Sequence, residues 1–112
     1  MFVNLTPHPV TIRKSDGTDH TILPSGSVAR VDTIEEPLPE IEGVPAIRRR
    51  WGEIQTGTFM ETGKTYIVSS IVLSALREST GWGQCMVAPD TGETAIRDEK
   101  GQIQAVTRVV RA

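Results

Sequence analysis

The strongest constraint on this chain is that its hydrophobic runs are short and are separated by turn residues. The 112 residues include 10 Gly and 7 Pro, and both types break regular elements. Val, Ile and Thr together make up 34 residues, against 5 Leu and 7 Ala, and β-branched side chains favour a pleated surface over a helix. The pattern predicts an α+β fold that is mostly β: a small β-barrel or rolled antiparallel sheet of short strands with one short helix.

The turn signals divide the chain into short strand regions. Ser15-Asp16-Gly17-Thr18 is a strong hairpin signal between two such regions. Pro7 and Pro9 interrupt the first region, so we expect it to form separate short pieces or an edge strand. The predicted strand regions are 2–8, 9–14, 19–24, 28–31, 47–54, 65–68, 84–88, 94–98 and 103–110, the last two pairing as a final hairpin.

One segment has the pattern of a helix. Ser69 or Ser70 is a suitable N-cap, and Arg77 suits the last turn, where a cation interacts well with the helix dipole. Gly81 fits the position just after the end. The predicted apolar stripe consists of Ile71, Val72, Ala75 and Leu76.

Residues 32–46 differ from the rest because acids and prolines alternate there without a basic residue. This composition disfavours both a helix and a central strand, and it predicts an exposed, partly extended acidic loop or arm. At this length the whole chain, 1–112, is predicted to be a single domain.

The bulk composition excludes several classes of partner and location. The net charge of −2 does not provide the basic field that duplex DNA requires. No stretch approaches the ~20 apolar residues of a membrane span, and the N-terminus lacks the basic and apolar regions of a signal peptide. Cys85 is the only cysteine, so a reducing cytoplasmic location is expected.

No catalytic or metal-binding set is evident. Gly63-Lys64-Thr65 resembles the end of a phosphate-binding loop, but the preceding glycine is misplaced and a strand follows instead of a helix. No nucleophile elbow is present. His8, His20 and Cys85 have no neighbour at ligand spacing. We therefore predict a protein that is not an enzyme and that has no cofactor, catalytic residue or metal site.

Two places could bind an anion. On a strand, Arg49 and Trp51 share one face, which suits a phosphate beside a stacked base. The alternative is that the arginines protect a strand edge or pair with the acidic segment upstream. Ser69 and Ser70 precede helical N–H groups that could hold an anion, although a simple cap is the plainer interpretation. Trp82, between two glycines, could cover a ligand or fill the end of a barrel.

The order of several motifs resembles a family of small, mostly uncharacterised proteins of about this length from tailed-phage and bacterial genomes. The motifs are Asn4-Leu5-Thr6-Pro7-His8, Pro24-Ser25-Gly26 with Val28-Ala29-Arg30-Val31, Tyr66-Ile67-Val68-Ser69 before an apolar helix, and Arg97-Asp98-Glu99-Lys100-Gly101. The family often has a tyrosine at the position of Trp51 and an arginine-aspartate pair at Gly83-Gln84. The resemblance implies a phage-type accessory protein that works by binding.

In that context we predict a binding protein that sequesters an anionic, nucleotide-like immune signal and so inhibits bacterial antiviral defence, in the host cytoplasm if it is phage-encoded. The predicted ligand-binding residues are Asn4, Thr6, His8, Arg49, Trp51, Tyr66, Ser69 and Ser70. One alternative is an interaction module that docks on a host or virion protein through the acidic, proline-rich segment. Another is a hydrolase that acts on a nucleotide. Short strands with free edges often pair between subunits, so a homo-oligomer is left open.

Overall fold

A computed structural model describes residues 1–58, 61–77 and 85–111 of the chain. It contains ten strands and one helix within these ranges. The elements are β1 (Phe2–Asn4), β2 (Val10–Arg13), β3 (Asp19–Ile22), β4 (Arg30–Ile41), β5 (Val44–Gln55), β6 (Thr65–Ile67), α1 (Ser70–Arg77), β7 (Met86–Pro89), β8 (Ile96–Arg97), β9 (Ile103–Ala105) and β10 (Val109–Arg111). The prediction of a mostly β fold with one short helix is confirmed.

The centre of the fold is a four-stranded mixed sheet in the order β1-β6-β7-β10. β6 runs parallel to both β1 and β7, whereas β10 is antiparallel to β7. Parallel neighbours require a crossover, and α1 lies in the connection between β6 and β7. The predicted rolled antiparallel sheet is therefore replaced here by a mixed sheet, and no closed barrel is found among the described strands.

Both faces of this sheet are covered. Alternate residues of a strand share a face. One face therefore carries Tyr66, Val68, Met86 and Ala88, which pack with α1. Ile67 and Val87 point to the other face and pack with Ile22 at the end of the β2–β3 hairpin. Burial on both sides explains why the runs at 66–68 and 86–88 are continuously apolar.

The helix begins and ends within the predicted segment, but its apolar stripe is rotated by one residue. Val72, Leu73, Ala75 and Leu76 are buried, whereas Ile71 is 59% exposed. At 100° per residue, Ile71 lies off the face that Val72 and Leu76 present to the sheet. With eight residues, α1 is too short to cross a bilayer, and no other described helix is a candidate.

Two predicted C-terminal features differ in the structure. β8 and β9 pair as a hairpin, as expected, but β10 leaves β9 and pairs with β7 in the central sheet. Val106, Thr107 and Arg108 separate β9 from β10, which allows the chain to change sheets. Cys85 lies just before β7 and is half-buried. Residues Gly81, Trp82 and Gln84, which carried predictions, lie outside the described residues.

The segment 32–46, predicted as an exposed, partly extended loop or arm, belongs to a long antiparallel hairpin of β4 and β5, here called the arm (residues 30–55). Glu35 and Glu36 lie opposite Arg49 and Arg48, so the acids of β4 are matched by the bases of β5. The base of the arm, at Val31 and Ile54, packs against the core. The radius of gyration, 16.8 Å, exceeds the roughly 13 Å of a compact chain of this length, because the arm projects.

The two-residue turn at the tip of the arm has the backbone conformation that this hairpin requires. Glu42 and Gly43 have φ values of 50° and 84°, and a two-residue hairpin loop of this type needs positive φ at both positions. Glycine adopts such a conformation without steric cost. Ile41 and Val44, which flank the turn, pair directly.

The tip turn yields a first prediction. Gly43→Ala should destabilise the tip by about 1 kcal/mol, since a Cβ is disfavoured at positive φ, and amide exchange at Ile41 and Val44 should accelerate. Glu42→Asn should have the opposite effect, because asparagine tolerates the left-handed region. Hydrogen exchange followed by NMR measures both changes. Equal exchange rates in the wild type and the alanine variant would contradict the assigned turn.

Candidate functional site

The N-terminal turn uses three predicted ligand-binding residues for its own structure. The Asn4 side chain is 1% exposed, and its Nδ2 donates to the carbonyl oxygens of His8 (2.8 Å) and Ile22 (3.0 Å). Its Oδ1 accepts from the backbone N–H of Thr6 (2.9 Å) and from the Thr6 hydroxyl (2.7 Å). An asparagine amide offers two donors and one acceptor oxygen with two lone pairs. The Asn4 amide is therefore fully occupied within the protein.

Thr6 and His8 complete this turn. The Thr6 hydroxyl lies 3.0 Å from the His8 carbonyl oxygen, so the threonine supports the same carbonyl as Asn4. The His8 side chain is exposed, and the residue lines a cleft of about 360 Å³ that is mostly apolar, with Val10, Ile103 and Val106 in its wall. Of the three residues, only His8 has a side chain available to a ligand in this arrangement.

Tyr66 is a core residue rather than a surface residue. It is 2% exposed and packs in the cluster beneath α1. Its hydroxyl accepts a hydrogen bond of 2.7 Å from the backbone N–H of Glu61. The phenol therefore anchors the segment that precedes β6.

The two serines have different positions at the helix N-terminus. Ser69 is the N-cap, because its hydroxyl accepts from the Val72 N–H (3.3 Å) and its carbonyl accepts from the Leu73 N–H (3.0 Å). Ser70, the first residue of α1, lines a cleft of about 240 Å³ together with Ser74 and Arg77. The opposite wall is the end of β7 and its continuation at Asp90 and Thr91. The predicted cap is thus confirmed, and the adjacent cleft is formed by the exposed side of α1.

Asp90 gives this cleft a defined ion pair. Its carboxylate accepts from Arg108 Nε at 2.5 Å and from the Gly92 N–H at 3.0 Å. The hydrogen bond from Arg108, followed by that from Gly92, lowers the pKa of Asp90 below its ordinary value. Arg108 is therefore already engaged at the cleft, whereas Arg77 forms no ion pair within the described part of the chain.

Arg49 and Trp51 lie on the arm, away from these clefts. They share one face of β5, as predicted, opposite Glu35 and Thr33. On the other face, the guanidinium of Arg50 lies 3.4 Å from the Glu36 carboxylate. The alternative interpretation, that the arginines pair with the acids upstream, therefore holds for Arg50.

The eight predicted ligand-binding residues fall into separate groups. The clefts lined by His8 and by Ser70 are neighbours, since Pro89 and Thr91 contribute to both. Neither cleft contains Arg49 or Trp51. Asn4 and Tyr66 are buried. The predicted residues that remain accessible therefore lie on two separate surfaces: the adjoining clefts that His8 and Ser70 line, and the arm.

The main feature that was not predicted is the apolar surface of the arm. Five large side chains there are between 36% and 67% exposed: Ile34, Leu38, Ile41, Val44 and Ile47. The dipeptide Glu42-Gly43 between Ile41 and Val44 is a hairpin signal that could have identified this element. The acids and prolines on either side of this dipeptide argue against strands, because both residue types are depleted there. The hairpin was therefore not predicted.

No metal site is apparent in the part of the chain that the structure describes, where no three His, Cys, Asp or Glu side chains come together. No family model matches the chain, and neither a curated protein nor a solved structure matches it significantly. The resemblance to the phage and bacterial family therefore stays a prediction.

The Asn4 network yields a second prediction. Asn4→Asp preserves the shape of the side chain but removes both donated hydrogen bonds and adds a buried charge beside two carbonyl oxygens. The free energy of unfolding should fall by about 3 kcal/mol or more, because the Ile22 carbonyl oxygen loses this donor, at roughly 1–3 kcal/mol, and the new carboxylate is buried, at a larger cost. The His8 carbonyl oxygen keeps the Thr6 hydroxyl. Denaturant titration measures the change.

The matched control is Thr21→Ala, which removes an exposed hydroxyl contact of 2.9 Å with Thr11. Its cost should stay within about 0.5 kcal/mol. A wild-type free energy of unfolding for Asn4→Asp would show that the network is not needed for stability.

Proposed function

We propose that this chain is a non-enzymatic binding protein that docks on a partner protein through the arm. The observation that carries the proposal is a projecting two-stranded hairpin with five large apolar side chains exposed. Ile34, Leu38 and Val44 lie on one face of the hairpin by strand alternation, and Ile41 pairs with Val44. Ile47 lies on the opposite face. Exposed apolar residues grouped on one face of a small protein are typical of an interaction site. This proposal corresponds to the docking module predicted from the acidic, proline-rich segment.

The physical properties of the arm suit binding. Pro37, Pro39 and Pro45 stiffen the distal half, so less conformational entropy is lost when a partner immobilises it. The cross-strand Glu–Arg pairs bring opposite charges together on the hairpin. The apolar side chains, by contrast, remain open to solvent and gain free energy when a partner covers them.

The resemblance to phage and bacterial accessory proteins supplies a context for this proposal. In that context the partner is a host or virion protein, and the protein acts in the cytoplasm, that of the host cell if the gene is a phage gene. Docking requires neither a catalytic residue nor a cofactor. The experiment below tests the arm without assuming the identity of the partner.

The docking proposal predicts that the tip of the arm is needed for partner binding. The double variant Ile41→Ser/Val44→Ser should reduce partner recovery about tenfold, as expected when anchor residues at an interface lose their apolar contacts. Tagged wild type and variant are purified from the cells that naturally express the chain, and bound proteins are quantified by mass spectrometry.

The matched control is Ile71→Ser/Leu23→Ser, which replaces two exposed apolar residues outside the arm. This variant should retain the partner. If no bound protein depends on the arm, or if the control loses the same protein, the docking proposal is overturned.

A second candidate function, sequestration of a nucleotide-like immune signal, is supported by the cleft beside α1. Ser70, Ser74 and Arg77 line it. The Ser74 hydroxyl donates to the Ser70 carbonyl oxygen (2.9 Å), so the Ser70 hydroxyl and the Arg77 guanidinium are the donors that this set offers to an anion. The cleft lies where β6 leads into α1 and where parallel β7 ends, and the carboxyl ends of parallel strands are a common ligand site. Tight capture of such a signal would inhibit bacterial antiviral defence without any chemical reaction.

This second candidate predicts a ligand-dependent rise in melting temperature. Cyclic dinucleotides and ADP-ribose derivatives are tested in excess, because a ligand that binds only the folded state stabilises it. Arg77→Gln should abolish the shift, whereas Arg49→Gln should leave it unchanged. The reverse result would move the ligand to the Arg49–Trp51 face, and no shift with any ligand would contradict the candidate. Recovery of intact ligand after denaturation distinguishes capture from hydrolysis.

A further inference from the structure

We propose that the outer edge of β5 is the docking site, and that it adds an extended acidic segment of the partner protein as a third strand of the arm. This inference rests on the proposed docking function and specifies the chemistry of the partner. Three observations carry it: the pairing of Pro37, the difference between the two edges of the arm, and the arginine run on β5.

The pairing of Pro37 indicates which residues of β5 direct their backbone N–H and C=O groups to the outer edge of the arm. Pro37 lies opposite Ile47 in the antiparallel ladder, but proline has no N–H to donate. The pair cannot exchange two hydrogen bonds, so it is a non-hydrogen-bonded pair, in which the backbone groups of both residues point away from the partner strand. Because the pattern alternates, Ile47, Arg49 and Trp51 direct their N–H and C=O groups to the outer edge of β5.

The two outer edges of the arm differ in the backbone N–H groups that they can donate to an added strand. The described strands pair β4 and β5 only with each other, so both outer edges lack a described strand partner. On β4, Pro37 directs its ring nitrogen to the outer edge and Pro39 also lacks a donor, which is the usual way in which proteins block an edge. On β5, the run from Ile47 to Trp51 contains no proline. Strand addition is therefore directed to β5.

The side chains of β5 define the charge of the added strand. Arg48 and Arg50 point to one face and Arg49 to the other, and an added strand alternates in the same way. Consecutive acidic residues would therefore meet arginines on both faces. β4 already shows this match on the inner edge, where Glu35 and Glu36 lie opposite Arg49 and Arg48.

Two of the three arginines are available to pair with the acidic residues of such a strand. Arg50 is engaged with Glu36, whereas Arg48 and Arg49 form no ion pair within residues 1–58, 61–77 and 85–111. All three arginines are exposed. The exposed Ile47 and half-buried Trp51 bracket the run and can pack against apolar residues that flank the acids.

A second copy of the chain fits this edge poorly. Antiparallel pairing of two β5 edges centred on Arg49 would place arginine opposite arginine, which is destabilising. Pairing of β5 with the acidic β4 of another copy would meet Pro37 and Pro39, which lack donors. A nucleic acid is also disfavoured, because the arginines are divided between two faces and lie beside glutamates, whereas a phosphate backbone is bound by a continuous basic surface.

The experiment uses the full chain and a synthetic probe. The probe is a fluorescent peptide of about ten residues with a central run of glutamates flanked by valine and threonine, the composition that strand addition to this edge requires. Fluorescence anisotropy should show saturable binding that weakens with added salt. The same peptide with methylated backbone nitrogens keeps its charge but cannot donate, and it should bind at least about tenfold more weakly.

Two variants of the protein test the β5 edge, as the methylated peptide tests the added strand. Ile47→Pro removes an outward N–H of β5 and should weaken peptide binding about tenfold. The matched control is Thr33→Pro, which removes an outward N–H of β4, since Thr33 lies at the same parity as Pro37. This control should have little effect on peptide binding. Because a proline variant can disturb the arm, Arg48→Glu/Arg49→Glu provides an independent measurement. That variant should abolish binding of the glutamate peptide and allow binding of a lysine peptide of the same design.

The outcomes separate this inference from the docking proposal. Equal binding of the methylated and unmethylated peptides would overturn strand addition, as would binding of an oligonucleotide such as poly-dT in preference to the peptide. If the natural partner is lost from Ile41→Ser/Val44→Ser but not from Ile47→Pro or Arg48→Glu/Arg49→Glu, the arm docks through the apolar side chains at its tip and only the present inference fails. If none of these variants affects the partner, the docking proposal fails as well.

Discussion

The buried amide of Asn4 is the interaction on which the body of the fold depends. It joins the end of β1 to the carbonyl oxygens of His8 and Ile22 and closes the turn at Thr6. Asn4 also lies beside Ile67 of β6. One side chain therefore sets where the β2–β3 hairpin leaves the central sheet, which places Ile22 over Ile67 and Val87. Only a group with donors and an acceptor together can satisfy all four partners.

The two halves of the structure use their apolar residues differently. In the body, the central sheet is covered by α1 on one face and by the β2–β3 hairpin on the other. In the arm, only the base contacts the core, through Val31 and Ile54, and the distal apolar side chains are exposed. Burial of a residue such as Ile67 stabilises the fold, whereas Ile41 remains 67% exposed. This division separates the residues that stabilise the fold from the surface that we propose for docking.

Local elements were predictable, because their signals lie within a few residues. The cap at Ser69, the helix to Arg77 and the hairpin at Ser15–Thr18 all agree with the structure. The candidate site was less predictable. Asn4 and Tyr66 have the chemistry of ligand-binding residues, but their polar atoms bond to backbone groups of the protein itself. Arg49 and Trp51 share a face as expected, yet they lie on the arm rather than beside Ser70.

The sequence alone determined the strand-rich composition, the single helix with its cap, and the charge pattern of acids followed by arginines, because these depend on residue type and short spacing. Only the tertiary structure decided that β6 lies between β1 and β7, that the acids and arginines face each other across an arm, and that Asn4 is buried. Those outcomes depend on contacts between distant segments, such as Glu36 with Arg50 and Asn4 with Ile22. The free energy of such contacts depends on what else is buried nearby, which residue spacing does not encode.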